Sequence, residues 1–378
     1  MTRSLLVISA SPDPDLTRRI ADDRSPRKDY LELARAVGGQ ILFRDAVRDR
    51  PLTRMIARWF GPSAAQAVLA FLLRQEYDVV FTDAENIGIP LAVLFKLARV
   101  RRRHVMIGHL LSRRGKRFFF RFVNVHSHID AIICHASLQR WILVHHVGVL
   151  THKVILIPYG VDERFWRPMP TSPHGPICSV GLEFRDYRTL IAAVRGLDLD
   201  LTIAAASHWS RRENEASRVP LPPNVRVTAL DYESLRDLYA SSRFVVVPLH
   251  DVEFQAGITT ILEAMAMGKA VVVTETRGQR DVVRGKAGLP ELLHHGPPGF
   301  PDLEAELRGD VGQTGRYVPP GDVPALREAI EELLAQPNHA DALGSNGRQL
   351  IERVMTLDQY VARIAALMTG PSLSDPSR

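Results

Sequence analysis

The sequence predicts an α/β protein of two domains, each built around a parallel sheet. Three observations carry that reading. The chain has 378 residues, 46% of them apolar, enough for a large buried interior divided between two domains. Short β-branched runs recur along it, separated by stretches with helical spacing, which is the alternation of strand–helix–strand units. The clearest unit is RFVVVPLHDVEFQAGITTILEAMAMGKAVVVTETRGQRDVV at 243–283. It reads as a strand over Arg243 to Leu249, a polar loop, a helix opening near Ile258 and stopping at Gly268, and a second strand over Ala270 to Thr274. Two buried runs joined through a helix make a right-handed crossover in a parallel sheet. Ligands bind beyond the carboxyl ends of such strands, here the loops Leu249 to Gly257 and Glu275 to Arg280.

Composition narrows the function classes. No apolar run approaches the ~18 to 20 residues that span a bilayer, and the start, MTRSLLVISASPDPD, fits a first strand better than a secretory signal. Cys134 and Cys178 lie in apolar strand-like runs, which points to a reduced, cytoplasmic protein. Charge is unevenly placed: residues 1–157 hold 25 Lys and Arg against 13 Asp and Glu, a net of +12, whereas the remainder nets −6. Ten of the basic residues and no acidic one fall in 96–129, including RRRH at 101–104 and RRGKRFFFRF at 113–122. Cations interleaved with Phe118, Phe119, Phe120 and Phe122 fit an anionic membrane surface or an anionic acceptor, or else a basic helix that keeps the domain soluble. No nucleic-acid module is visible.

In chain order, Leu5 to Ala10 is the first strand. The loop and helix after it lack the G-x-G-x-x-G of a dinucleotide site, which argues against a nicotinamide or flavin cofactor in the first half. Gln40 to Arg44 is a second strand, and Thr53 to Leu73 a helical stretch broken by Gly61-Pro62. The strand Tyr77 to Thr82 is followed by Asp83, Glu85 and Asn86. Glu85 suits contact with an acceptor or a base role, while Asp83 or Asn86 could cap the next helix. The strand Val105 to Gly108 delivers His109 at its end. His126, His128, His135, His145 and His146 show no metal-ligand spacing.

The second half repeats the pattern. Pro158 to Pro176 is a proline-stiffened linker, with Gly160 supplying a backbone conformation that other residues resist. Strands follow at Pro176 to Val180, Leu199 to Ala205 and Val225 to Leu230. Helices are predicted over Asp322 to Gln336 and Asp341 to Met368, with a polar tail from Gly370. Leu289 to Gly312 is rich in Gly, Pro and acids. In the helix from Ile258, the residues Ile258, Ile261, Leu262 and Met265 form one apolar stripe, leaving Thr259 and Glu263 on a polar face. The unpaired N–H groups of that helix start suit a phosphate, and a carboxylate one turn on can accept from a ribose diol.

Several of these stretches resemble one family. Gln255, Gly257, Thr259, Thr260 and Glu263 with AMAMGKAVVVTETRGQRDVV, the turn Pro158, Gly160, Val161, Asp162, Phe165 and Pro168, and GRYVPPGD at 315–322 are similar to retaining GT-B glycosyltransferases of family 4. The resemblance implies two Rossmann-like parallel-sheet domains facing a central cleft. They would be an acceptor-side domain at 1–158, a linker at 159–176, a donor domain at 177–352, and a crossover helix and tail at 353–378. It implies a hexosyltransferase that moves a sugar from a UDP- or GDP-linked donor with retention, without a bound metal or resident cofactor. Glu263 takes the place that holds the ribose. Gly181, Arg185 or Arg188 would meet the diphosphate, Leu230 the base, and Gln255, Ala256, Gly257, Ile258, Thr259 and Thr260 the donor; His109 would orient the sugar, with Glu85 and Asn86 on the acceptor side. Two departures stand out: Gln255 replaces the family's first glutamate, and Leu182 an arginine; Leu289 to Gly312 looks like an insertion relative to the family's pattern. A lipid-linked or anionic acceptor would suit the basic stretch, on the inner face of a membrane. A GT-B-fold sugar-nucleotide epimerase and a non-catalytic sugar-nucleotide- or membrane-binding protein are the competing readings.

Overall fold

A computed structural model describes residues 2–170, 175–205, 220–285 and 311–371, without the side chain of Arg114. The first sheet holds Ser4–Val7 (β1), Gln40–Leu42 (β2), Val79–Thr82 (β3), Arg103–Ile107 (β4), Ala131–Cys134 (β5) and Val154–Leu156 (β6). Their order is β2-β1-β3-β4-β5-β6, and every pair is parallel. The second sheet holds Ile177–Val180 (β7), Leu201–Ala204 (β8), Val225–Thr228 (β9), Val245–Val247 (β10), Val271–Thr274 (β11) and Gly315–Val318 (β12) in the order β12-β11-β10-β7-β8-β9, again parallel. Most strands are buried along their length, because helices cover both faces and leave no solvent side to alternate with.

In the first domain, one face of the sheet packs against Asp29–Val37 (α2), which follows Leu16–Ala21 (α1). The other face carries Pro62–Leu72 (α4), Glu85–Leu97 (α5) and Arg114–Arg121 (α6), with Pro51–Phe60 (α3) packed on α4 and Ser137–Trp141 (α7) against β5 and β6. The break at Gly61-Pro62 falls where expected: Gly61 takes a positive φ of 86° and Pro62 opens α4. Asp83 and Asn86 do not cap α5, contrary to the sequence expectation. Ala84 is the N-cap, and the Asp83 carboxylate instead accepts from the Ser9 N–H and hydroxyl, both at 2.7 Å.

The second domain adds Tyr187–Val194 (α8), Tyr232–Ser241 (α9), Ile258–Ala266 (α10), Val323–Ala335 (α11) and Pro337–Val354 (α12). The helix expected over Asp341 to Met368 is two helices. The chain breaks at Met355-Thr356, and Leu357–Thr369 (α13) restarts with a capping box between Thr356 and Gln359. That break turns α13 back onto the first domain, where Leu357, Tyr360, Val361, Ile364, Leu367 and Met368 share a core with Leu6, Ile8, Val105 and Ile107.

Two crossings therefore join the domains, and they touch. Val161 bridges Thr356, and a Cβ on Gly160 would lie 2.5 Å from Tyr360 Cβ. Gly160 is thus required by close approach; it is not among the positive-φ residues, which corrects the conformational reason expected for it. Asp162 accepts from the Arg27 N–H at 2.8 Å and Nε at 2.9 Å, and Arg27 also donates to Asp358 at 2.7 Å. One first-domain arginine so fastens both the linker and α13. Pro173 and most of the expected insertion at Leu289 to Gly312 lie outside the described residues, as does the tail from 372.

Candidate functional site

The loops that leave the carboxyl ends of β7, β9, β10 and β11 meet on the second domain's side of the cleft. Gly181 (φ 102°) and Gly257 (φ 76°) both hold left-handed conformations that strain any other residue. Space also forbids a side chain: a Cβ would lie 2.5 Å from Arg185 Nη2 at Gly181 and 2.9 Å from Val247 Cγ1 at Gly257. Between these glycines sits the Arg185 guanidinium, only 6% exposed. Its Nε donates to Val180 O (2.9 Å), Nη1 to Glu183 O (3.0 Å) and Nη2 to Thr260 Oγ1 (3.0 Å). Burial pushes its pKa below the ordinary arginine value.

No carboxylate forms an ion pair with Arg185 among the described residues; the neighbouring Asp186 caps α8 through Thr189 N–H at 3.0 Å. Helix α10 starts at the same place. Its N-cap is Gly257, without a side-chain cap hydrogen bond, so its first-turn N–H groups add partial positive charge beside the buried cation. Such a pairing of cation and helix start would favour an anion with several oxygens. Arg188 stands exposed on α8, and Leu230 is half-buried just before the N-cap of α9.

One turn and a half into α10, Glu263 is buried at 7% exposure, and its Oε2 accepts from the Tyr239 hydroxyl at 2.9 Å. Burial raises its pKa to about 7, against the opposing pull of Tyr239, Lys28 and Arg185. Thr259 is exposed, whereas Ala256, Ile258 and Thr260 are buried. The polar face expected for Thr259 and Glu263 is therefore split: the first opens to solvent and the second faces inward.

On the first domain's side, His109 is exposed beyond the end of β4. Its Nε2 lies 2.9 Å from Asp83 O and its Nδ1 2.8 Å from the Tyr159 hydroxyl. A carbonyl only accepts, so Nε2 carries the proton and Nδ1 accepts from Tyr159. Beside it, His135 donates from Nδ1 to Ile157 O at 2.7 Å and leaves Nε2 buried without a partner. Burial, reinforced by His109, lowers its pKa to about 3, so the ring is neutral and Nε2 presents a lone pair. A cavity of about 210 Å³ is lined by His109, His135, Gln139 and Tyr159 from one domain and by Phe254 and Gln255 from the other.

Glu85 stands behind this wall, 3% exposed. Its oxygens accept from the N–H groups of His109 (3.0 Å) and Leu110 (3.2 Å) and from Lys116 Nζ (2.5 Å). Burial alone would raise its carboxyl, but Lys116 and the His109 N–H hold it below the ordinary value. Three protein donors make it a brace for the 109–116 loop. Asn86 is exposed at the start of α5.

The two walls are clasped together. Asp281, after β11, accepts from the Ser137 N–H at 2.7 Å and its hydroxyl at 2.6 Å across the cleft. Gln255 Nε2 reaches the same carboxylate at 3.4 Å and leaves Oε1 buried without a partner, while Gln139 donates to Glu253 O at 2.8 Å. His109 and Gln255 are thus brought to one cavity, with Arg185, Gly181, Gly257 and Glu263 grouped around the start of α10. Sequence reasoning missed His135, Tyr159, Ser137, Gln139 and Asp281. Their only signal is position, just beyond the carboxyl ends of β5, β6 and β11. Among the described residues, no group of three or more His, Cys, Asp or Glu could hold a metal ion.

Comparison with known proteins now adds to the geometry. Residues 184–336 match the family described as Glycosyl transferases group 1. No curated protein matches the chain. Among solved structures, the sucrose-phosphate synthase of Thermosynechococcus elongatus is 18% identical over 97% of this chain and 98% of its own, with a TM-score of 0.68. HepE of Anabaena in complex with UDP-glucose is 13% identical over 97% and 100%, with a TM-score of 0.65. A glycosyltransferase of Rickettsia africae ESF-5 is 14% identical over 98% and 100%, with a TM-score of 0.64. These likenesses establish the GT-B fold across both domains and the cleft between them.

Proposed function

We propose, on the premise that residues 184–336 are a group 1 glycosyl transferase domain, that this chain transfers a sugar from a nucleotide-sugar donor to an acceptor hydroxyl. The observation that carries the proposal is the buried Arg185 guanidinium, without a carboxylate partner among the described residues, set between Gly181 and Gly257 at the start of α10. That cation and the helix start would hold the diphosphate and offset the charge it gains on leaving. Glu263 would accept from the ribose hydroxyls and Leu230 would lie against the base. The UDP-glucose complex of HepE supports UDP ahead of GDP as the donor nucleotide.

The transferred sugar would occupy the cavity between His109 and Gln255. Its 210 Å³ falls below the about 300 Å³ at which drug-sized ligand pockets begin, which fits a single sugar ring. We favour retention by front-face attack. The acceptor oxygen bonds to the anomeric carbon on the face that the phosphate leaves, the carbon–phosphate oxygen bond breaks, and the acceptor proton passes to the departing phosphate. Gln255 in place of a carboxylate supports a route without a covalent sugar–enzyme intermediate, since an amide is a poor nucleophile. Arg185 and the helix start supply the positive charge, so the proposed reaction needs no metal.

The basic stretch at 96–129 bears on the acceptor. Lys96, Arg101, Arg102 and Arg103 are spent on backbone carbonyls, and Lys116 on Glu85. Arg113 and Arg121 remain exposed beside Phe118, Phe119 and Phe122. That remnant supports a peripheral position on the inner, cytoplasmic face of a membrane and a lipid-linked or anionic acceptor. No described helix is long and apolar enough to cross a membrane.

A thermal-shift panel of nucleotides and nucleotide sugars tests the donor, because a ligand that binds only the folded state raises the melting temperature by mass action. Turnover of the best donor with and without acceptors, against Glu263→Ala, separates transfer from epimerisation and from binding alone. NMR of the product anomer tests retention, and an inverted centre would end it.

A further inference from the structure

We propose that α3 is an in-plane docking helix that seats the first domain on an anionic lipid surface. This rests on the peripheral-membrane reading and deepens it with residues outside the 96–129 stretch.

Helix α3 is amphipathic with its stripe turned outward. Thr53 faces the protein, its hydroxyl donating to Val47 O at 2.7 Å. Leu52, Met55 and Trp59, spaced i, i+3 and i+7, are 46%, 55% and 74% exposed, and Phe60 at the helix end is 78% exposed. A surface helix of a folded domain ordinarily turns such a stripe to the core. Here solvent would meet it.

The charge beside the stripe says what covers it. Arg54 and Arg58 are exposed on α3, which contains no acidic residue, and Arg44, Arg48 and Arg50 are exposed just before it. Residues 44–60 hold five arginines against Asp45 and Asp49. A tryptophan and long apolar side chains flanked by arginine guanidinium groups suit the boundary between anionic headgroups and acyl chains. A second copy would fit poorly, because α3 against α3 brings arginine to arginine.

The position of α3 supports the same occupant. Ten of the eleven exposed large hydrophobic residues among those described lie in the first domain. Helix α3 packs on α4, α4 on α5, α5 on the turn Val125–His128, and that turn on α6. The exposed Phe118 of α6, Phe122 just past its end, Leu97 of α5 and the stripe of α3 therefore belong to one run of packed helices on one side of the sheet. Weak contacts at both ends of a rigid layer reinforce each other as linked sites do.

The test is co-sedimentation of the full chain with vesicles of phosphatidylcholine alone and of phosphatidylcholine with phosphatidylglycerol. The wild type is expected to sediment with the anionic vesicles only, less so at high salt. Replacing Leu52, Met55 and Trp59 together by serine is expected to lower the partition coefficient about tenfold or more, with the melting temperature and its nucleotide-induced rise retained. Trp59→Phe should still bind but lose the blue shift in fluorescence that vesicles induce. Serine variants that sediment like the wild type overturn the role of α3, and separate alanine variants at Arg113, Arg117 and Arg121 then show whether α6 alone carries binding. A wild type that ignores anionic vesicles overturns both membrane readings. Self-association abolished by the serine variants, with no vesicle effect, overturns lipid in favour of a second copy.

Discussion

The Tyr239 hydroxyl donates to Glu263 Oε2 at 2.9 Å, inside the second domain and one turn and a half from the start of α10. This pairing buries a carboxylate whose pKa rises from its ordinary 4.5 to about 7. The folded state therefore holds the proton more tightly than the unfolded one. Stability from this group is full below about pH 4.5 and is lost as pH rises towards 7, by roughly 3 kcal/mol. Chemical denaturation of the wild type and of Glu263→Gln across that window should show the slope in the wild type and a flatter profile in the variant. Ionised Glu263 is also the better acceptor for a ribose diol, so donor affinity should rise from pH 6 to pH 8 in the wild type alone. Parallel profiles for the two proteins would refute this account.

Arg185 should decide diphosphate binding. Hydrogen bonds to a charged group are worth about 1.5–3 kcal/mol, so Arg185→Lys, which keeps charge but loses the planar fork, should weaken a nucleoside diphosphate roughly ten- to a hundredfold. A nucleoside without phosphate should bind the variant and the wild type alike. Calorimetry with both ligands reads the contrast. Equal losses for both would mean that Arg185 only shapes the loop.

His135 should act on the sugar and leave the nucleotide alone. His135 lines the cavity shared with Gln255 and keeps an unpartnered Nε2, and one neutral hydrogen bond contributes about 0.5–1.5 kcal/mol. His135→Phe should lower kcat/KM roughly two- to tenfold while nucleotide affinity stays unchanged. Loss of nucleotide binding in step with activity would count against the assignment.

Asp281 should control closure. Its carboxylate accepts both polar hydrogens of Ser137 from the opposite domain, and Asp281→Asn removes one acceptor oxygen and the charge. Small-angle scattering should report a larger radius of gyration for the variant, and KM for the acceptor should rise more than donor affinity falls. An unchanged radius would show that the clasp is dispensable.

Gly160 should be intolerant of a methyl group. Its Cβ would meet Tyr360 Cβ at 2.5 Å and Thr356 O at 3.0 Å, and forced overpacking costs about 1–3 kcal/mol. Gly160→Ala should lower Tm by several degrees without changing the nucleotide-induced rise. An unaltered Tm would mean that the crossing has slack.

What the sequence determined by itself is what repeats locally. Continuous β-branched runs and helices at period 3.6 are written into neighbouring residues, so the strands at Val245–Val247 and Val271–Thr274 and the helix Ile258–Ala266 were legible, as was the break at Gly61-Pro62. The resemblance of 243–283 located the α10 loop and Glu263 for the same reason, since a strand, a glycine turn and a helix start form a contiguous device. Tertiary structure decided everything that pairs residues far apart in the chain. Asp281 finds Ser137 from 144 positions away, Glu263 finds Tyr239 from 24 positions away across a strand, and Gly160 is small because Tyr360 returns to meet it. It also decided which of two similar stripes is core. Ile258, Ile261, Leu262 and Met265 are buried, whereas Leu52, Met55 and Trp59 are exposed. Periodicity tells that a helix has an apolar face, but only the packing of its neighbours tells whether that face is covered.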